Sequence, residues 1–493
     1  MSKEKVEKLN FRLGSLGGAV PMLFFVFWAI FISVQGAADT NGLIVGALIG
    51  LALGMFLVKD KWDDYCEAIF TGMSQEVGVV AIIAWFFAGT FAQILQEGGL
   101  VKGLVWVASA TGVEGALFVV VTFLLAALFS TAVGTGYGTV VAFTTLMYPA
   151  GLIMGAHPIV LFAAILSGAA FGDNLAPVSD TTIVSAVTQE TDVPGVVRSR
   201  FKYSISAAIP SLILLYVFGG ASGDTGVSAA KAAEYMANSA NPSGLLFLIP
   251  FALVIYLAMS GNHLIVSLTW GIITASVLGL GSGLIKMQDL LYVNSQAGVV
   301  EGAIVSGVVG YVPMAILILL IVAAGYIMEI GGTMQGMKKW LANKVKDSAS
   351  RAELSMWSLI AGLNVFITIN TAAEIAAAPF VKEVGEDFHI HPYRRANLLD
   401  ATSSALGYIF PWSAAVLLGY STLENMAGQY EFIKLIDTTQ IWPYVFHGWF
   451  LVAIMFIASI TGLGRRYIGA DGEPVKELPQ GVELGLENEV TSS

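Results

Sequence analysis

The chain is built from a succession of apolar runs, each long enough to cross a bilayer. A membrane-spanning helix needs about 20 predominantly apolar residues, and such runs recur from Leu13 to Leu463 between short charged or Gly/Pro-rich breaks. Charged residues make up only 12% of the chain, about half the share found in a soluble domain. The runs are continuously apolar rather than alternating, which favours helices over barrel strands. The sequence therefore predicts an all-α polytopic membrane protein with 12 to 14 transmembrane helices.

Short patterns recur at a nearly constant offset and predict an internal repeat. The clearest is His157-Pro158, which recurs as His391-Pro392 at an offset of 391 − 157 = 234. The other matches are Pro177 and Ser179 with Pro411 and Ser413 at the same offset, Gly98-Gly99 with Gly331-Gly332 at 331 − 98 = 233, and Ala68–Gly72 with Ala303–Gly307 at 303 − 68 = 235. Seven crossings are predicted for each repeat. Because this number is odd, the second repeat is predicted to be inverted relative to the first, as in many secondary transporters.

The distribution of basic residues agrees with inversion. Arg198, Arg200 and Lys202 indicate a cytoplasmic loop, whereas the corresponding stretch of the second repeat, 421–440, has three acidic residues and one lysine. The second repeat instead has a basic loop at 338–351, and its first-repeat counterpart has one lysine, Lys102. The excess of basic residues therefore lies in loops at opposite ends of the two repeats. It predicts a multi-pass protein of a prokaryotic cytoplasmic membrane with both termini in the cytoplasm.

These features predict five regions along the chain. They are a cytoplasmic segment at 1–12, a first transmembrane repeat at 13–220, an extracytoplasmic polar insert at 221–243, a second repeat at 244–463 and an acidic cytoplasmic tail at 464–493. The tail from Asp471 onward alternates glycine, proline and carboxylates, a composition typical of disorder.

The stretch Ser167–Thr182, S-G-A-A-F-G-D-N-L-A-P-V-S-D-T-T, places two carboxylates inside an apolar region. An ionisable side chain at the bilayer centre costs roughly 2.5 to 3.5 kcal/mol on insertion scales, so a function is expected to repay it. Pro177 removes a backbone donor and frees nearby carbonyl groups. Irregular backbone at this depth is tolerated where it is buried in protein or lines a watery cavity. The stretch is predicted to be a helix broken near the membrane midplane that holds a transport site.

Oxygen ligands around this break suit a hard cation such as Na+. The first-repeat candidates are Asp173, Asn174, Ser179, Asp180, Thr181 and Thr182, with Asp173 and Asp180 as the predicted Na+ ligands. The second-repeat candidates are Asn370, Glu374, Asp400, Thr402, Ser403, Ser404 and Ser413. Burial favours the uncharged form of a carboxyl, so protons are expected to compete with Na+ for Asp173 and Asp180. Helix capping by Ser179 or Asp180 is the simpler alternative.

Several classes of partner are excluded or left open. No Walker-type phosphate loop is present, so the energy for transport must come from an ion gradient, and no enzyme activity is predicted. No cofactor or nucleic acid is predicted, and Cys66 is the single cysteine. The expected partners are membrane lipids, Na+ and H+, with a small organic solute as an alternative cargo. A homodimer is left open.

The segment Gly168–Thr182 resembles the signature of the NhaC-type Na+/H+ antiporter family of the ion transporter superfamily. Asp400–Ser404 and Phe410-Pro-Trp412 in the second half extend the resemblance. Members often have a basic residue at the position of Asn174 and serine at that of Ala176, so this chain departs from the pattern there. The family also contains exchangers of organic acids and amino acids.

Two functions follow as hypotheses. The first is Na+/H+ antiport by alternating access, which is favoured by the near absence of Lys and Arg inside the predicted spans. The second is ion-coupled transport of a small organic acid or amino acid, held by helix N-termini and the hydroxyls of Thr402, Ser403 and Ser404. A passive channel fits the broken, repeated helices less well.

Overall fold

The computed structural model describes most of the chain. The described residues are 8–35, 40–220, 240–260, 262–333, 336, 345, 348–366, 369–430, 432–433, 435–482 and 484–485. Most of the predicted polar insert and of the predicted basic loop, including Lys338, Lys339, Lys344 and Lys346, therefore lies outside the described residues, as do the first seven and last eight residues.

Ten helices precede the polar insert in the described chain. They are α1 Ser15–Val34, α2 Thr40–Leu57, α3 Trp62–Met73, α4 Glu76–Glu97, α5 Leu100–Ala110, α6 Gly115–Val133, α7 Gly136–Ile153, α8 Pro158–Leu175, α9 Asp180–Thr188 and α10 Val193–Phe218.

The described part of the second half contains further helices and four short strands. The helices are α11 Leu248–Met259, α12 Leu264–Ser282, α13 Met287–Leu290, α14 Ala303–Val309, α15 Val312–Ile330, α16 Ala349–Phe366, α17 Asn370–Asp387, α18 Pro392–Leu406, α19 Ala414–Gln429 and α20 Phe446–Thr461. Strands β1 Tyr292–Asn294 and β2 Val299–Glu301 pair antiparallel, as do β3 Tyr467–Ile468 and β4 Pro474–Val475. Short 3-10 helices cover Pro242–Phe247, Thr438–Gln440 and Trp442–Tyr444.

The predicted helical membrane class is confirmed. Among the described residues, seven helical segments are long and apolar enough to cross a membrane, and an eighth is obtained if the bent pair Thr438–Tyr444 and Phe446–Thr461 is one span. One of the seven is the interrupted segment Pro158–Thr188, which joins α8 and α9. The total of 12 to 14 crossings stays a prediction.

Four helices of the first half have counterparts that begin at one constant offset in the second half. Helices α6, α7, α8 and α9 begin at positions 115, 136, 158 and 180, and α16, α17, α18 and α19 begin at positions 349, 370, 392 and 414. Each set consists of a pair of long helices joined by a short connection, followed by a helix that is interrupted and then resumes. The two sets carry the candidate site residues.

The first helix pair is a hairpin with a tight connection. Helix α6 ends at Gly134, whose φ of 69° is a left-handed conformation that glycine adopts without steric cost. Thr135 then caps α7, accepting a hydrogen bond from the backbone N–H of Gly138. At the other end of the pair, the N–H of Gly115 donates to the carbonyl of Met154 at 2.7 Å. Both ends of the hairpin therefore lie together.

Helix α8 packs along both helices of this hairpin and is surrounded by protein. The last helical bond runs from the N–H of Ala176 to the carbonyl of Gly172, and Pro177 follows. The chain is irregular over 176–179, and Ser179 occupies the cap position of α9. The predicted helix break is thus present where proline prevents the helix from continuing. Aromatic side chains such as Phe118, Phe123 and Phe129 form the core around it.

Two expectations about polar segments were wrong. Arg198, Arg200 and Lys202 do not form a loop, because α10 begins at Val193 after the capping residue Asp192 and contains all three. The start of the tail is also ordered. Strand β4 pairs with β3, and the N–H of Ile468 in β3 donates to the carbonyl of His389. The tail is thereby attached to the turn that precedes α18.

Candidate ion-binding site

The two helix hairpins and the two helix breaks meet at one place. Gly134, at the tip of the first hairpin, lies against Val178 of the first break. Gly136 lies so close to Tyr408 of the second break, 407–413, that any Cβ there would overlap the phenol hydroxyl. Tyr137 donates a hydrogen bond to Asn370, at the start of α17, at 3.0 Å. Parts of both halves therefore form a single site.

Asp173 lies at the end of α8 and is bound by neutral donors from both halves. Its Oδ1 accepts a hydrogen bond from the hydroxyl of Ser179 at 2.6 Å. Its Oδ2 accepts from the hydroxyl of Tyr408 at 2.8 Å and from the side-chain amide of Asn370 at 3.3 Å. The side chain is 2% exposed. Because hydrogen bonds to a carboxylate favour its charged form, this arrangement supports a negative charge without a counter-cation.

Asp180 is the first residue of α9 and is the more accessible of the two carboxylates. Its Oδ2 accepts a hydrogen bond from the hydroxyl of Thr371 at 2.6 Å, and its backbone carbonyl accepts from the indole of Trp85 at 3.4 Å. The position at the helix N-terminus also favours the charged form. Ser179, the cap residue of α9, makes no side-chain capping bond to the helix, so the capping alternative lacks that contact for Ser179.

A cavity of about 440 Å³ adjoins both carboxylates. It will be called the first cavity, and its lining includes Gln93, Gln96, Tyr137, Asp173, Asp180 and Tyr311. Asp173 and Asp180 are the ionisable carboxylates among its described lining residues, and no lysine, arginine or histidine is among them. The described lining of the first cavity therefore combines two carboxylates with neutral side chains.

Asp400 lies in α18 and is paired with a cationic side chain, that of Arg200. The guanidinium of Arg200 forms an ion pair with Oδ2 of Asp400, and neither side chain is exposed. The same guanidinium donates to the carbonyl of Asn174 at 2.7 Å and to the hydroxyls of Thr182 and Ser185 at 3.2 Å. The predicted candidates Asn174, Thr182 and Asp400 are thus assembled around an arginine rather than around the first cavity.

Hydroxyl groups connect the two carboxylate clusters. The hydroxyl of Ser179, which donates to Asp173, lies 3.1 Å from that of Thr181. Thr181 lies 3.3 Å from Ser404, which in turn donates to Asp400. A continuous series of hydrogen bonds therefore runs from the first cavity to the buried ion pair.

The remaining predicted candidates are not among the described residues that line the first cavity. Ser403 accepts a hydrogen bond from Asn364 at 3.0 Å, and Ser413 is the cap residue of α19. Thr402 and Glu374 are fully buried. Neither the hydroxyl of Thr402 nor the carboxyl oxygens of Glu374 have a hydrogen-bond partner in the described chain.

Sequence reasoning missed three residues of this region. Tyr137 and Tyr408 are polar groups with large apolar bodies, and they gave no signal in an aromatic-rich chain. Arg200 was assigned to a loop because basic residues lie on either side of it. The inference that Lys and Arg are nearly absent from the spans was wrong, since Arg200 is fully buried in α10 and Arg394 is 1% exposed in α18.

Solved transporter structures share this fold. The Alcanivorax borkumensis YdaH transporter aligns with a TM-score of 0.55 at 16% identity, covering 90% of this chain and 98% of that protein. Neisseria gonorrhoeae MtrF, described as one of a class of antimetabolite efflux pumps, aligns with a TM-score of 0.54 at 13% identity, covering 88% and 96%. At these identities the likeness concerns the fold alone.

Sequence relatives include antiporters for different cargoes. A malate-2H+/Na+-lactate antiporter of Bacillus subtilis is 24% identical over 78% of this chain and 83% of its own length. The arginine/ornithine antiporter ArcD of Halobacterium salinarum is 23% identical over 82% and 86%. The Na+/H+ antiporter NhaC of Alkalihalophilus pseudofirmus is 25% identical over 48% and 51%. The model of the Na+/H+ antiporter family matches residues 11–220 and 186–449, which together cover most of the chain, and this protein belongs to that family.

Proposed function

We propose that the protein exchanges Na+ for H+ across a prokaryotic cytoplasmic membrane by alternating access. The observation that carries the proposal is that Asp173 and Asp180 have no cationic partner among the described residues. Both adjoin the first cavity, and their hydrogen-bond donors among the described residues are neutral. Two carboxylates close together in a low-dielectric site repel one another unless a cation or a proton joins them. Na+ and H+ would therefore compete for this pair.

Helix ends supply the other groups that Na+ requires. Helices α6, α8, α16 and α18 end at or near the site, and the last carbonyl groups of a helix have no partner within it. Carbonyl, hydroxyl and carboxylate oxygens are the ligands that hard cations prefer. The helix boundaries that recur at a constant offset support two inverted repeats that move relative to one another, with both termini in the cytoplasm. A homodimer is compatible with this arrangement.

The size of the first cavity favours a second candidate function. A volume of about 440 Å³ lies within the usual range of small-molecule pockets and greatly exceeds that of a bare ion. Glutamine and tyrosine side chains in its lining offer hydrogen bonds to an organic solute. We therefore propose, as the alternative, exchange of a small amino acid or organic acid coupled to Na+ or H+.

The deciding experiment uses purified protein in liposomes with a trapped pH dye. Na+, Li+ or K+ is added across an imposed proton gradient in the absence of organic solute. Proton movement on adding Na+, lost in Asp180→Asn and kept in Asp437→Asn, is the result expected for Na+/H+ antiport. The control residue Asp437 lies in an exposed turn. Proton movement that begins only when amino acids or carboxylates are supplied would establish the alternative.

A further inference from the structure

A second cavity lies at the opposite ends of two helices that start at the first cavity. It has a volume of about 360 Å³, and its lining includes Thr188, Glu190, Ala378, Lys382 and Glu386. Helices α9 and α17 begin beside the first cavity, at Asp180 and Asn370, and their later residues line the second. Helix α9 has nine residues, about 13 Å at 1.5 Å per residue. Only this short length of protein separates the cavities along α9.

The two helices are bound to one another at both cavities. At the first cavity Thr371 donates to Asp180 at 2.6 Å. Near the second, the side-chain amide of Gln189 donates to the carbonyl of Ala378 at 3.3 Å. Between these bonds the α9 side chains Ile183 and Val184 are no more than 1% exposed. The pair therefore forms a closely packed partition between two polar cavities.

Glu374 is the acidic residue of this partition. It follows Asn370 and precedes Ala378 by four residues each, which places it about 6 Å along the α17 axis from a residue lining each cavity. Its side chain is fully buried, and neither carboxyl oxygen has a hydrogen-bond partner in the described chain. A carboxylate without donors in such surroundings is strongly disfavoured, so this carboxyl holds a proton while both cavities stay separate from it.

The charged groups around Glu374 also disfavour the charged form of its carboxyl. The charged groups that interact electrostatically with the Glu374 carboxyl are Asp400 on α18, Arg200 on α10, and Asp180 and Asp173 at the break. Because Arg200 is already paired with Asp400, the net charge of these four groups is negative. This net charge opposes ionisation of Glu374.

Charged groups on the other neighbouring helices have partners or lie at the second cavity. On α16, Glu353 is held by Arg394 of α18 and by Arg465. Also on α18, Arg395 pairs with Glu386. On α15, Glu329 lines the second cavity. None of these contacts supplies a donor to the carboxyl of Glu374.

We infer that Glu374 is a separate proton-carrying carboxyl, taking a proton from one cavity and releasing it to the other in exchange for the cation held by Asp173 and Asp180. This inference rests on the proposed Na+/H+ exchange and changes one part of it: Glu374, rather than the pair Asp173 and Asp180, carries the coupled proton. Water that reaches Glu374 from either cavity lowers the cost of the charged form and permits release there. A cation at Asp180 favours the carboxylate of Glu374, and a proton on Glu374 removes a charge that attracts the cation. The two ligands thereby oppose each other's binding without sharing oxygens.

The test is Glu374→Gln, a neutral side chain of the same shape, with Glu301→Gln in the exposed strand β2 as the matched control. In liposomes, Glu374→Gln is expected to keep exchange of labelled Na+ between equal Na+ concentrations and to lose Na+-driven proton movement by at least tenfold. Its Na+ affinity should no longer fall at low pH. Glu301→Gln should keep all three properties. Proton coupling retained in Glu374→Gln overturns the inference.

An infrared measurement separates this inference from the Na+/H+ proposal. The protonated carboxylic acid band of the purified protein should lose intensity in Glu374→Gln but not in Glu301→Gln, whether or not the protein transports Na+. An unchanged band shows that Glu374 carries no proton and refutes its role. If wild-type protein moves no protons with Na+ but the band is lost, the Na+ proposal alone fails. Glu374→Met, also neutral, replaces the glutamine variant if that variant does not fold.

Discussion

Arg200 and Asp400 lie 200 residues apart and form an ion pair that is fully shielded from solvent. Arg200 belongs to α10 in the first half, and Asp400 belongs to α18 in the second. Hydroxyls of Thr182, Ser185 and Ser404 complete the hydrogen bonds of the pair. Arg200 thus occupies Asp400 and the surrounding hydroxyls, which would otherwise be available to a cation. Asp173 and Asp180 remain as the uncompensated carboxylates beside the first cavity.

Breaking this pair from one side is expected to destabilise the protein strongly. Arg200→Met leaves Asp400 buried and uncompensated, a change that costs about 3 to 5 kcal/mol in comparable buried pairs. The double variant Arg200→Met with Asp400→Leu leaves no unpaired charge and should recover much of the loss. Thermal unfolding in detergent measures the difference. Equal apparent Tm values for the single and double variants would show that the pair is not a stabilising unit.

The close approach of Gly136 to Tyr408 predicts that a larger side chain at position 136 destabilises the protein. Gly136→Ala is expected to displace the phenol from Asp173, with an overpacking cost of about 1 to 3 kcal/mol. Adding Tyr408→Phe removes the hydroxyl that overlaps the added Cβ but leaves the ring carbon Cζ at 2.6 Å from it. It should therefore restore part of the stability without restoring the hydrogen bond to Asp173. The control is Gly362→Ala in α16, where a Cβ meets no atom within 4 Å. A Gly136→Ala variant as stable as this control would contradict the packing.

A pair of threonine substitutions tests the site hydroxyls. Thr371→Val removes the donor to Asp180, and a hydrogen bond to a charged group contributes about 1.5 to 3 kcal/mol. Na+ affinity is therefore expected to fall about 10- to 100-fold. Thr402→Val is the matched control, because the Thr402 hydroxyl is buried without a partner in the described chain. It should leave Na+ affinity unchanged and stability equal or higher. Isothermal titration with Na+ checks both variants.

His391 predicts a pH-dependent stability at the turn before α18. Its Nδ1 accepts from the N–H of Tyr393 at 3.1 Å, and its Nε2 lies 3.2 Å from the carbonyl of Gly472 in the tail. Burial lowers the pKa of His391, and Arg395 lowers it further. The unfolded chain, with the ordinary histidine pKa, therefore takes up a proton first as the pH falls.

Stability is expected to decline from about pH 7 downward and to level off below the folded-state pKa, where both states are protonated. His391→Asn keeps a helix cap and removes the titrating group, so the decline should become shallower in this variant. Apparent Tm measured at a series of pH values provides the test. Parallel profiles for the variant and the wild type would rule out His391 as the source.

The helix break was predictable from sequence because its cause is local. Pro177 cannot continue a helix, and carboxylates inside an apolar run indicate a site. The constant offset between the halves likewise predicted the correspondence between His157 and His391, which both precede the first residue of a helix. These features depend on residues near one another in the chain or on simple spacing.

The partners of the carboxylates were not predictable in the same way. Tyr408 and Asp173 are 235 residues apart, and their contact depends on how the two halves pack. Arg200 follows Arg198 and precedes Lys202, a pattern typical of a loop, whereas its position on α10 directs it into the protein. The contact of Tyr408 with Asp173 and the burial of Arg200 both depend on tertiary packing, which produces no periodic pattern in the sequence.

The carboxylates of the site come from one half of the chain, and several of the hydroxyl and amide groups that hold them come from the other. At the offset that relates His157 to His391, the positions equivalent to Asp173 and Asp180 are Gly407 and Ala414, so neither half contains a complete binding site. Under the proposed function, an ion bound to Asp173 and Asp180 would join the two halves. The proposed alternating access would then have to break contacts such as that of Thr371 with Asp180, so the movement that turns the site toward the opposite face would also lower its affinity for the ion.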